Sequence, residues 1–204
     1  MGSPKLPREF YTRSDVAEVA RDLLGQLLVV SAGGTRVSGM IVEAEAYQGP
    51  EDRASHAYGG RRTRRTSTMY AVGGTAYVYF VYGMHCQFNV VTNVRDVPHA
   101  VLIRALAPRE GLALMRRRRR VAQDVELTSG PGKLCRALGI DLSFDAADLL
   151  GDRVWIEAGP PVPPERVACG PRVGIAYAEG WVETPWRFWI RGDPHVSRRE
   201  PRGR

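Results

Sequence analysis

Long hydrophobic runs are missing from this 204-residue chain, and no stretch of eighteen apolar residues is present to cross a membrane as a helix. The first ten residues, MGSPKLPREF, lack an apolar signal core, so a cytoplasmic protein (nucleoid-associated if bacterial) is expected. Cysteine is scarce: Cys86, Cys135 and Cys169 are odd in number, far apart and without a CxxC pair. A disulfide framework or a zinc site is therefore not expected, and no metal or other cofactor is assigned. Lysine is nearly absent too. Only Lys5 and Lys133 are lysines, so arginine supplies the rest of the 29 basic side chains. No internal repeat and no long linker divides the chain.

What is present is an apolar content of 44%, enough for one globular core, and a net charge of +7. With a pI near 9.7, that balance favours a polyanionic partner, nucleic acid first. A single domain over residues 1–204 is expected, with 1–9 and 198–204 as flexible tails.

The local pattern predicts a helix over about 15–24, capped by Asp15 and stopped by Gly25, with Val16, Val19, Ala20, Leu23 and Leu24 as its apolar stripe. A hairpin follows, with strands at about 27–31 and 36–47. On the second strand a period of two sets Ile41, Glu43, Glu45 and Tyr47 on one face, with Met40, Val42, Ala44 and Ala46 on the other. The long segment 48–74, rich in Gly, Pro, Arg and Thr, reads as a functional loop. A meander is expected at about 75–82, 85–93 and 99–106. It sets Tyr77, Tyr79 and Val81 on one face, and Arg104 with Ala100 and Leu102. A helix is predicted from near Pro108 into the run Arg116 to Arg120, which reads as a solvated or mobile segment. A second helix follows SGPGK. The segments RVWIE, RVGIA and RFWIR read as short strands. Strands grouped before and after helices predict an α+β fold, a mainly antiparallel curved β-sheet with surrounding helices.

Four motifs carry chemistry: IVEAEAYQGPEDRASH (41–56), GTAYVYFVYGMHCQFN (74–89), VLIRALAP (101–108) and SGPGKLC (129–135). In this order and spacing the chain, from about Phe10 to Ser197, closely resembles the alkyladenine (3-methyladenine) DNA glycosylase family. The residues themselves agree with that likeness. Hydrolysis of a nucleoside bond passes through an oxocarbenium-like sugar, so a carboxylate that activates water and faces the positive charge is an economical device. Glu45 is that candidate, and the resemblance places the general base there. Glu43 is the alternative, read as a structural hydrogen-bond partner. A flipped base needs aromatic faces and edge hydrogen bonds. The resemblance gives Tyr47, His56 and Tyr79 as pocket walls, and Asn89 as the residue that rejects guanine through its 2-amino group.

By the same resemblance Arg104 and the backbone carbonyl of Val173 contact the catalytic water. Tyr82, beside Gly83, is the intercalating wedge, with Met69 at the neighbouring step. Arg61, Thr63, Arg64, Ser129 and Lys133 are the expected phosphate contacts, the last two at a helix start. The partner implied is double-stranded DNA containing damaged purines: 3-methyladenine, 7-methylguanine, ethenoadenine or hypoxanthine. The enzyme is expected to act as a monomer, without lyase chemistry.

The rivals are weaker. A helix-hairpin-helix glycosylase needs a Gly/Pro-rich hairpin and a downstream aspartate that are not found. A lyase needs an amine nucleophile, and only two lysines exist. A metal nuclease needs clustered His and Asp ligands. A noncatalytic nucleic-acid-binding module has no use for Glu45, Arg104 and Asn89 together.

Overall fold

Helix α2 shows how directly the sequence sets local structure. In the computed structural model, which describes residues 3–81 and 83–197, α2 spans Val16–Asp22. The Asp15 carboxylate accepts from the Ala17 and Glu18 amides, so two of the four unpaired N-terminal donors are satisfied. Its predicted stripe is buried throughout. Gly25 ends the segment at φ 85°, and a β-carbon there would lie 2.6 Å from the Pro160 carbonyl oxygen.

The strands are β1 (Leu27–Ala32), β2 (Thr35–Gln48), β3 (Ala76–Val81), β4 (His85–Thr92), β5 (His99–Glu110), β6 (Val154–Glu157), β7 (Val167–Gly170) and β8 (Arg187–Ile190). They form one eight-stranded sheet in the order β3-β4-β5-β2-β1-β6. Strand β8 pairs with β2 beyond the end of β1, and β7 pairs with β8. Every pairing among the described residues is antiparallel. The remaining helices are α1 (Arg8–Tyr11), α3 (Leu112–Arg119) and α4 (Pro131–Leu138). This single domain is α+β, as the grouping of strands predicts. No helix among the described residues is long and apolar enough to cross a membrane.

The sheet has two unlike faces. Val78, Phe88, Val90, Val101, Ile103, Ala44, Ala46 and Phe188 join the main core, together with the buried stripes of α2 and α4. On the other face, register fixes a row that crosses five strands. Tyr77 stands opposite Asn89, Asn89 opposite Leu102, Leu102 opposite Glu45, and Glu45 opposite Arg187. Residues directly opposite in antiparallel strands share a face, so this row is presented as a unit.

Several expectations are corrected. The alternation on β2 holds from Glu43 to Tyr47, but Ile41 packs into the main core because pairing with β5 is irregular around Glu43. Strand β5 continues through Pro108 to Glu110. The proline is accommodated because the register with β2 shifts beside Gly39, and the helix starts only at Leu112, after Gly111 at φ 75°. RVGIA is a bend rather than a strand; the extra strand is β7. Residues 3–9 are not a free tail. Leu6 is buried, Lys5 bridges to Glu157, and the Lys5 ammonium donates to the Gly151 carbonyl and to Asp152. Residues 198–204 lie outside the described residues.

The arginine run is anchored at three of its five side chains, while Arg116, Arg117 and Arg120 are exposed to solvent. Arg116 holds Asp124 with two hydrogen bonds of 2.9 Å, Arg118 donates to the Ala137 carbonyl, and Arg119 donates to the Leu127 carbonyl. Burial pushes the Arg118 and Arg119 guanidinium pKa values down.

Candidate active site

Three residues of this row, Tyr77, Asn89 and Leu102, line a cavity of about 430 Å³. Its walls come from three places: Tyr47 on β2, Tyr77 and Tyr79 on β3, and His56 on the 48–74 loop, with the bend 173–177 closing one side. The loop is well anchored for its length. Asp52 is completely buried and accepts from the Gln48 and Ala54 amides, while Thr68 donates its hydroxyl to Asp145. His56 is thereby held where its Nδ1 lies 3.0 Å from the Tyr77 hydroxyl and its ring meets Tyr79 edge-on at 4.6 Å. Burial, reinforced by Arg65, pushes the His56 pKa down to about 4, so the ring is neutral at pH 7. Burial raises the Tyr77 phenol to about 12 and takes Tyr79 higher still. Tyr79 donates its hydroxyl to Gln87 Oε1 at 2.6 Å.

Glu45 has no exposed surface and sits behind the cavity floor. Its Oε2 accepts from the Tyr47 hydroxyl at 2.9 Å and from Arg104 Nη1 at 3.2 Å. Its Oε1 accepts from the Val173 amide at 2.7 Å. All three donors belong to residues that line the cavity. The recorded contact of Val173 with Glu45 thus runs through its amide, not through the carbonyl expected to meet water. Burial and the neighbouring Glu45 charge hold the Tyr47 phenol well above its usual pKa, so it stays a donor.

Arg104 is shared. Its Nε lies 2.9 Å from Glu43 Oε1, and its Nη1 reaches Glu45. Burial opposes its charge, but the two carboxylates outweigh that and raise its pKa. Glu43 also accepts from Arg187 Nε at 2.7 Å. Burial alone would raise the Glu43 pKa; Arg104, Arg187 and the Ser197 amide reverse that and hold it below the usual carboxylate range. A buried cluster of two carboxylates and two guanidinium groups results.

Asn89 is buried, faces the cavity and donates its Nδ2 to the Tyr77 carbonyl at 3.1 Å. That fixes the amide orientation and turns the Oδ1 atom away from this bond. Met69 requires correction. At 2% exposure it packs with Tyr70, Tyr77 and Val91 and lines the cavity, so it is a pocket residue and cannot enter a base step from there. Tyr82 lies outside the described residues. On either side of it in sequence, Phe80 is 47% exposed and Met84 67% exposed.

The expected phosphate contacts are at the surface near the cavity. Arg61, Thr63 and Arg64 are exposed on the loop, with Thr63 held by Thr66. Ser129 and Lys133 flank the start of α4, 3.5 Å apart, and Pro131 between them lines the cavity mouth.

Sequence reading missed Tyr77, Asp52, Arg172, Arg187 and Ser197. Tyr77 was within reach, since it alternates with Tyr79 on the same face. Asp52 and Arg172 form a fully buried ion pair at 2.5 and 2.9 Å, and the Arg172 guanidinium lies 4.8 Å from the Tyr47 ring centre. Nothing local to either residue announces a partner 120 positions away.

Residues 9–194 match the family model described as methylpurine-DNA glycosylase. A provisionally named 3-methyladenine DNA glycosylase of Bacillus cereus (strain G9842) is 47% identical over 206 residues, covering 95% of this chain and 98% of its own. A protein of the same name from Bacillus cytotoxicus is 46% identical over 204 residues, covering 95% and 100%. The chain belongs to the methylpurine-DNA glycosylase family.

Proposed function

We propose that this protein is a DNA repair glycosylase that turns a damaged purine out of the duplex and hydrolyses its N-glycosidic bond. The observation that carries the proposal is Glu45, held beside an aromatic cavity by three donors from residues that line it, Tyr47, Arg104 and the Val173 amide. A flipped base enters between Tyr47 on one side and Tyr79 and His56 on the other, with Asn89 against its edge. Neutral His56 offers a hydrogen bond without adding charge.

Glu45 carries the hydrolysis. Each carboxylate oxygen has two acceptor sites, and Oε1 takes only one hydrogen bond among the described residues, from Val173. The remaining site can orient a water and accept its proton as that water attacks the sugar carbon. The negative charge also faces the developing oxocarbenium ion. Arg104 keeps the carboxylate aimed through its contact with Oε2. The leaving base takes the electron pair of the broken bond. A cationic alkylpurine departs unaided, whereas hypoxanthine needs a proton, so alkylated bases such as 3-methyladenine and 7-methylguanine should react faster. Ethenoadenine and hypoxanthine belong to the neutral class. Asn89 disfavours guanine through its 2-amino group.

Tyr82 fills the gap left by the flipped base, and Arg61, Thr63, Arg64, Ser129 and Lys133 hold phosphates as the protein binds DNA as a monomer. Of the only two lysines, Lys5 lies in a surface ion pair with Asp152 and Lys133 stands at the start of α4, and neither is assigned a nucleophilic role. The test is release of free base from alkylated duplex DNA in the presence of a chelator, followed by strand analysis before and after alkali. Base release with strands nicked only after alkali is expected. No release, or a borohydride-trapped protein–DNA adduct, would overturn the proposal.

A further inference from the structure

We propose that Ser197 is a positioning residue for the hydrolytic centre, so that the C-terminal segment completes the active site from 154 residues away in sequence. This rests on the assignment of Glu45 as the hydrolytic group.

The local chain explains how Ser197 arrives there. After β8, the Asp193 carboxylate accepts from both the amide and the Nδ1 of His195, which turns the chain back on itself. Val196 then packs into the main core. The next residue, Ser197, is delivered to Glu43. Its amide donates to Glu43 Oε2 at 2.6 Å, and its hydroxyl lies 3.0 Å from Glu43 Oε1. The same oxygen accepts from Arg104 Nη2 at 3.2 Å.

That hydroxyl occupies a particular place. A serine oxygen has one proton to give and can accept in return, so it can bridge a guanidinium and a carboxylate. Arg104 thereby has all three nitrogens engaged: Nε on Glu43, Nη1 on Glu45 and Nη2 on Ser197. Without the Ser197 oxygen, Nη2 loses its partner in a site where Arg104 is only 7% exposed. The planar guanidinium is then free to rotate toward Glu43, which is the competing carboxylate. Arg187 donates its Nε to Glu43 Oε1, on the Glu43 side of the cluster. The Tyr47 hydroxyl and the Val173 amide would remain on Glu45, but its cationic contact would weaken.

The variants are Ser197→Ala and Ser197→Thr, the second keeping the hydroxyl. Single-turnover excision from a 3-methyladenine duplex should fall roughly 10- to 150-fold in the alanine variant, the range for losing a hydrogen bond to a charged group. Affinity for a duplex carrying a tetrahydrofuran abasic analogue should change less than about twofold. The loss should therefore fall on the excision step rather than on binding. The threonine variant should recover most of the rate. An unchanged rate in the alanine variant overturns the proposal. So does a loss of rate matched by an equal loss of duplex affinity that threonine fails to restore, which would mark Ser197 as a general fold contact. Absence of excision by the wild-type protein would instead overturn the glycosylase reading itself.

Discussion

The Arg172 guanidinium lies against the Tyr47 ring, 4.8 Å from its centre, while both of its terminal nitrogens hold Asp52. Arg172 Nη1 also donates to the Ala46 carbonyl, and the next residue, Val173, gives its amide to Glu45. One buried pair thus braces the wall formed by Tyr47, the start of the loop that carries His56, and a donor to Glu45. Removing one member leaves the other charge buried and unpaired, a loss of about 3–5 kcal/mol. Asp52→Asn should therefore lower the urea midpoint sharply, and excision at a permissive temperature should fall as well. A midpoint within experimental error of the wild type would show that the pair is not needed to brace the site.

Glu45→Gln keeps the shape of the side chain and discards its charge and basicity. Excision should fall by roughly 10²–10⁴, while a lesion duplex still binds in a mobility-shift assay. Glu43→Gln should behave differently. It strands Arg104 and Arg187 together, so loss of thermal stability should accompany any loss of rate. A Glu45→Gln enzyme with near-normal excision would move the hydrolytic role elsewhere.

The different fates of these residues show what a sequence can carry. Glu45, Tyr47 and Tyr79 were legible because they lie in the motifs at 41–56 and 74–89 that carry the family resemblance, while a period of two only grouped them by strand face. Arg187 and Ser197 were not, because their partner Glu43 lies 144 and 154 residues away and their own neighbourhoods are ordinary. The bend at 172–175 was misread as a strand because RVGIA has strand composition. Its Arg172 side chain goes to Asp52 and its Val173 amide goes to a carboxylate, so that donor serves the site rather than a ladder. Pro108 suggested a helix start, but an irregular register supplied the one place where a strand accepts it.

Salt dependence separates phosphate contacts from structural arginines. With about four to six phosphates held, log K should fall against log salt with a slope of roughly −4 to −5. Arg61→Gln and Arg64→Gln should each reduce its magnitude by about 0.9. Arg118→Ala and Arg119→Ala, which remove hydrogen bonds to carbonyls, should cost about 0.5–1.5 kcal/mol of stability each and leave the slope alone. A slope change of about 0.9 from either would make the run a phosphate clamp.

His56 should leave a signature in stability against pH. Its folded pKa of about 4 lies below the usual 6.5, so the unfolded chain binds the proton more readily between those values. Above pH 6.5 the group adds no slope. As pH falls from 6.5 to 4 the fold loses stability, by about 3 kcal/mol at most, and below 4 the slope disappears. His99 is shifted in the same direction, so the readout is the difference between two curves. His56→Gln should be flatter than the wild type across that window, in urea unfolding at a series of pH values. Parallel curves would mean that His56 takes up its proton in the folded protein as readily as in water.

Tyr82 can be tested without disturbing the cavity. The walls Tyr47, Tyr79 and His56, and Glu45 behind them, belong to other positions and keep their contacts in Tyr82→Ala. If Tyr82 plugs the duplex, its removal lets the extruded base return to the stack. The flipped population should fall by the equivalent of roughly a few kcal/mol, and the excision rate should fall with it. A lesion in single-stranded DNA has little stacking to recover, so the same variant should lose far less activity there. The exposed Phe80 and Met84 flank this position and are suited to a base step only when a duplex is present. Phe80→Ser and Met84→Ser should therefore show the same duplex-only loss in smaller measure. Equal losses on duplex and single-stranded substrates would place Tyr82 within base recognition and remove it as the wedge.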